Sequence, residues 1–417
     1  MAGSLDGGRR VRQRATTACQ PDRLRFRDRV CAIIPPTIDP TGATCLESIV
    51  RHRFFPLLLW MSSIAAMPAI AQPPPPPKAQ SAPSTGARSS SPTATQSPTP
   101  HHKVAKRIAI GGDGFWDYLT VDSAQRRLYV SHSTHVQVVD IERDSIVGEI
   151  PGTPGVHGIA LAADLGQGFT SNGRDSSVTV FDLKTLATVA RIRVRARNPD
   201  AIVYDPVSHR VFTMNGGSGT ATAIDAAAHT VIDTLALGGR PEFAVADGRG
   251  RIFVNLEDKS EVVAFDSRSL AIQARWPLAP GEEPSGLAID LAHRRLFSVC
   301  ANKRMVVLDA DSGRVIATLP IGEGVDGSAF DPETALAFSS NGEGSLTVVH
   351  EDDPEHFRVV ETVTTQRGAR TLALDGKAHC IFLPTAAFGP PPAPTAERPH
   401  PRPSIVPGSF VILVVEP

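Results

Sequence analysis

Two histidines three residues apart, His132 and His135, stand in the stretch RLYVSHSTHVQVVD (Arg127–Asp140). An H-x-x-H pair raises the question of a metal site. Here it lies between two strand-like runs, and alternation along a strand is expected to turn His135 away from His132. Any chemistry must then come from residues gathered over long distances. The candidates are Trp116, Asp117, His132, His157, Asp200, Glu242, Asp326 and Arg370. Carboxylates with an imidazole can hold a divalent metal or do acid–base work. Arg370 introduces a competing reading, in which Asp117 and Asp326 serve only as its ion-pair partners.

Other chemistries lack their motifs. The sequence has no G-x-S-x-G nucleophile context, no C-x-x-C or C-x-x-C-H, and no glycine-rich loop leading into a helix. Two of its five cysteines, Cys300 and Cys380, fall in the body of the chain, too few for a disulfide-stapled scaffold. Cys300 has no base assigned to it and reads as a small packing residue. Residues 1–71 carry ten Arg and five acids, which leaves 32 basic against 38 acidic residues beyond them. An acidic body argues against nucleic acid as a partner.

The elements that would gather the candidates come from a repeat. An aromatic recurs at Tyr129, Phe169, Phe212, Phe253, Phe297, Phe338 and Phe382, and an aspartate precedes each one, at Asp122, Asp164, Asp205, Asp247, Asp290, Asp331 and Asp375. Both columns give seven units of about 42 residues. Each unit has four short β-rich runs and no helical period, which is the pattern of a propeller blade. The fold class is therefore all-β: a seven-bladed β-propeller of four-stranded blades. The seventh unit lacks its fourth strand, and a spare strand at His102–Ile110 precedes the first. That N-terminal strand is expected to complete the last blade and leave no open edge.

In such a ring the innermost strands line a central channel. Residues at the channel end of those strands and in the loops between second and third strands share one face. Register puts Trp116, His157, Asp200, Glu242, Ser285, Asp326 and Arg370 there, with Asp117 beside Trp116. It adds loop positions His132, Asn172, Asn215, Leu256, Cys300, Asn341 and Thr385. The repeated aspartates belong to Asp-Pro and Asp-Gly turns on the opposite face and read as structural. A Pro-rich insertion at 386–409 emerges on the candidate face, as a strap over the mouth, a docking segment or a solvated excursion.

LYVSHSTHVQVVD, FTSNGRDSSVTVFD and FSSNGEGSLTVVH resemble the YVTN-repeat, YncE-like propellers, in which an aromatic-Val-Thr-Asn segment precedes a V-x-V-I-D strand. The resemblance runs over about residues 102–417. It departs at His350, where the strand-ending Asp is lost, and in the insertion. It implies a secreted or periplasmic propeller, and some members of the family carry a DNA-binding label. WD40 fits less well, because there are three Trp and no Trp-Asp closes a strand.

Three segments precede the propeller. Residues 1–49 read as a non-native or disordered extension, 50–71 as a signal peptide ending at Ala69-Ile70-Ala71, and 72–101 as a Pro/Ser/Thr-rich spacer. No transmembrane anchor is expected after cleavage. The expectation is a monomeric binding scaffold that takes a small molecule, peptide or protein at its channel mouth. The alternative is a propeller enzyme, either a metal-dependent lactonase or a cofactor-assisted oxidoreductase.

Overall fold

The computed structural model describes residues 101–393, 395 and 403–417. The expectations for residues 1–100, leader and spacer included, lie outside the described residues. Seven four-stranded antiparallel sheets follow one another along the chain. In blade one the strands are Trp116–Asp122, Arg127–His132, His135–Asp140 and Ser145–Pro151, from the channel outward. The same order recurs in blades two to six.

Burial explains the sequence pattern. Second and third strands are covered on both faces, so they read as apolar runs rather than strict alternation. Fourth strands are half exposed and alternate. The repeated aromatics of the second strands are all buried and form the blade interfaces. Tyr129 meets Phe181 of the next blade at 5.7 Å between ring centroids, and Phe212 meets Phe265 at 5.5 Å. Truncating one such ring to Ala costs roughly 3–5 kcal/mol.

The ring closes as expected. Lys103–Ala109 pairs antiparallel with Val411–Glu416 and forms the outer strand of blade seven. The first described strand therefore completes the last blade, which ties the two ends of the propeller together.

The turn aspartates keep a structural role, with one correction. Asp122 accepts backbone N–H bonds from Ala124 and Gln125 at 3.1 and 2.9 Å, and Asp205, Asp290, Asp331 and Asp375 make equivalent bonds. In blade two the equivalent position is Ala162, which faces Gln167 as Asp122 faces Arg127. Asp164 sits instead in a short 3-10 turn, Ala163–Leu165. Three of the aspartates also bind the neighbouring blade: Arg126 reaches Asp375, Arg294 reaches Asp247 at 3.0 Å, and His379 reaches Asp331 at 2.7 Å. Each of those partners, Arg126, Arg294 and His379, is a left-handed residue of its own turn.

Candidate functional site

A backbone irregularity positions the site. In blades one to six the pairing of first and second strands breaks just after the first residue, between Trp116 and Leu119, Val156 and Ile159, Pro199 and Ile202, Pro241 and Ala244, Pro284 and Leu287, and Val325 and Gly327. Such bulges re-aim a side chain. The residues left out of the ladder begin with Asp117, His157, Asp200, Glu242, Ser285 and Asp326. Hydroxyls of the second strands hold this shifted backbone: Ser131 Oγ accepts from Asp117 N at 2.8 Å, and Ser171 Oγ donates to the Asp200 carbonyl.

The ring position in blade one is therefore Asp117, not Trp116. Trp116 faces His132 across the ladder and stacks on Phe410 at 4.9 Å, buried against blade seven. His132 is also absent from the ring. It is buried and packs against Phe410 at 4.9 Å. His135 does not turn away from it. The two are direct cross-strand partners with ring centroids 4.8 Å apart, because a two-residue loop joins them and opposed residues of a hairpin share a face. Burial, then the neighbouring His135, lower the pKa of His132. The other loop positions are structural as well. Asn172, Asn215 and Asn341 are buried, and each Nδ2 donates to two hydroxyls of its third strand at 3.0–3.1 Å. Cys300 is buried, its thiol pushed up to about 12 by that burial. Both Cys300 and Cys380 are free thiols.

The ring residues converge. His157 Nδ1 lies 2.6 Å from Asp117 Oδ2 and 3.6 Å from Asp200 Oδ1. One donor atom from each of the three falls within 4.8 Å of the others, a set that could hold a metal ion. Gly173 makes room for this arrangement, since a Cβ there would stand 2.5 Å from His157 Nε2. Arg370 bonds Asp326 and lies 3.4 Å from Asp117 Oδ1, the ion pairing expected of neighbouring blades. Arg240 bridges Glu242 at 3.1 Å and Glu257 at 2.8 Å. Below the carboxylates, Tyr118 packs edge-on against Phe243 at 5.2 Å across the channel.

These groups are electrostatically perturbed. Burial would lower His157, but the hydrogen bond to Asp117 and the charges of Asp200 and Asp117 prevail and raise it to about 9. Burial raises Asp200 to about 6, with Asp117 adding repulsion against the opposing pull of His157. Burial, then the charges of Asp200 and Glu257, raise Glu242 to about 8. Perturbed titrating groups gathered at a channel mouth are what a functional site requires, although ion-pair networks can also produce them.

Beside the ring lies a cleft of about 290 Å³ between blades six, seven and one. The insertion supplies one wall, its described ends meeting where Phe388 bridges to Ile405. Arg367 and Phe115 line the cleft and were not among the sequence candidates. Nothing in the repeat register indicates where an insertion will fold back.

No protein-family model matches this chain, and no curated protein does. Among solved structures it is similar to Kuenenia stuttgartiensis hydrazine synthase, at 16% identity and a TM-score of 0.57, over 66% of this chain and 92% of that one. It is also similar to U3-55K, at 10% identity and a TM-score of 0.63, over 75% and 99% of the two chains. The RRP9 WD40 repeats match at 9% identity and a TM-score of 0.62, over 75% and 98%. Likeness at these identities is likeness of fold. Strand order, closure and structural neighbours agree that the chain is a seven-bladed β-propeller.

Proposed function

We propose that this propeller is a binding scaffold whose channel mouth holds a small polar ligand. The observation that carries the reading is the bulge-directed convergence of Asp117, His157, Asp200, Glu242 and Asp326 from five blades, joined by Arg370 of blade seven. Carboxylates outnumber the cations among them, so the ring favours a ligand that donates hydrogen bonds or carries positive charge. Burial, with repulsion added to it, raises Asp200 and Glu242, and a hydrogen-bond donor or cation bound there would offset both. The signal-like segment at 50–71 and the YVTN resemblance support a periplasmic or secreted setting. The test is calorimetry with a panel of amines, polyols and divalent cations. Binding is expected to weaken at least tenfold in Asp200→Asn. Equal binding by wild type and Asp200→Asn across the panel would reject the mouth as the site.

One observation favours a second reading, a metal-dependent hydrolase: the Asp117, His157 and Asp200 donors lie close enough to share an ion. Three protein ligands with an open side would leave a position for water, whose proton the metal acidifies. Stoichiometric zinc or calcium in purified protein, lost in His157→Ala, would support it.

A further inference from the structure

The cleft beside the ring has a chemistry of its own. Phe115, Trp116, Phe388 and Ile405 give it apolar walls, and Arg367 and Arg370 give it cationic ones. The two arginines differ. Arg370 is already matched by Asp326 and Asp117. Arg367 is exposed and makes no ion pair among the described residues. Phe115 is 71% exposed, an unusual placement for a large aromatic at the rim of a concave site. At about 290 Å³, the cleft falls near the lower end of the size range of small-molecule sites, with room for one or two fused rings.

A guanidinium with no ion pair among the described residues, lining the same cleft as these rings, selects for a particular kind of ligand. A planar apolar body would bury against Trp116 and Phe388, and a single anionic group would take the bidentate N–H donors of Arg367. Each part contributes separately. A hydrophilic anion leaves the walls wet, and a neutral ring leaves the arginine without a counter-charge.

We propose that the cleft binds a small planar anion, an aromatic carboxylate or sulfonate, with its charge on Arg367 and its ring lying against the wall that Phe115, Trp116 and Phe388 form. The inference rests on the mouth being a binding face and names the chemistry of what binds beside the ring. Its physical basis is separate, because the ring selects for donors and cations and the cleft for an apolar anion.

The test uses 1-naphthalenesulfonate as probe and 1-naphthalenemethanol as its uncharged control, titrated calorimetrically at low salt into the full chain. Naphthalenesulfonate is expected to bind one site and to weaken at least tenfold in Arg367→Gln. The control should bind wild type and Arg367→Gln alike. Phe388→Ala should weaken both probes. Arg367 is exposed, so thermal melting should show Arg367→Gln folded as wild type. No saturable binding of naphthalenesulfonate, or equal affinity for wild type and Arg367→Gln, overturns the proposal. A change of naphthalenesulfonate affinity in Asp200→Asn with none in Arg367→Gln would place the anion in the ring, which refutes the cleft and spares the mouth. Failure of both the probe here and the polar panel above would refute both.

Discussion

Asp375, on the face opposite the mouth, and Asp200, at the mouth, are both largely buried carboxylates in the same ring of blades, yet they are held in opposite ways. Burial alone would raise Asp375. Hydrogen bonds from Ser123 and Arg126 and the backbone N–H of Lys377 outweigh it and hold its pKa below the ordinary value. Asp200 has His157 at 3.6 Å and Asn198 at 3.4 Å, and its pKa remains raised to about 6. Glu242 is raised further, to about 8. One face uses its acids to fasten turns and adjoining blades. At the other, burial and mutual repulsion raise Asp200 and Glu242 even with His157 and Arg240 beside them. Acids held above their ordinary pKa, in a scaffold otherwise so well matched, are what supports the ligand site proposed at the mouth.

This contrast can be broken by mutation. The largest effect is expected on the fastened face. Arg126→Met leaves Asp375 buried without its cation and should destabilise the ring by about 3 kcal/mol in denaturant unfolding. A loss under 1 kcal/mol would make the latch ornamental. At the mouth the sign should reverse. Glu242→Gln removes a carboxylate that the fold resists ionising and should stabilise the protein at pH 8 by roughly 1–3 kcal/mol. A loss at pH 8 would mean that the Arg240 pair outweighs burial and repulsion.

The pH dependence follows from the same shifts. His157 titrates near 9 in the fold against an ordinary 6.5, so its stabilising contribution is complete below 6.5 and is lost as pH rises through about 9. The raised pKa of Glu242 acts in the same direction, from 4.5 through about 8. Stability should therefore fall from pH 6.5 to 9, and less steeply in His157→Ala. A wild-type profile flat over that range would contradict the assigned electrostatics. The smallest effect concerns Cys300. With its thiol near 12 and buried, it should resist alkylation by iodoacetamide at pH 8 in the native state and react on unfolding.

Much of the architecture was legible in the sequence, because seven large aromatics must each fill the same interface and cannot drift in register. The missing fourth strand of the last unit and the spare strand before the first likewise announced the closure. The positions of the candidate ring residues are legible to within a residue. His157, Asp200, Glu242, Asp326 and Arg370 stand where repeat spacing put them. Repeat spacing points to Trp116 with Asp117 beside it and does not choose between them, because a bulge leaves no mark on spacing, only on which of two neighbours the ladder skips. His132 and His135 were misread for a related reason: odd spacing along a continuous strand parts two side chains, but across a tight hairpin it brings them together. Asp164 kept the repeat spacing while its unit substituted a 3-10 turn. The cleft was not legible, since it depends on where an insertion without repeat partners returns to the ring.

The contrast between the faces is most directly tested by melting temperatures at pH 8 for Asp200→Asn/Glu242→Gln and for Asp375→Asn, each against wild type. The account predicts that the mouth variant melts higher than wild type and Asp375→Asn lower. A mouth variant that melts as low as Asp375→Asn would show that both sets of carboxylates fasten the fold, and would contradict the claim that the mouth holds charge in reserve for a ligand.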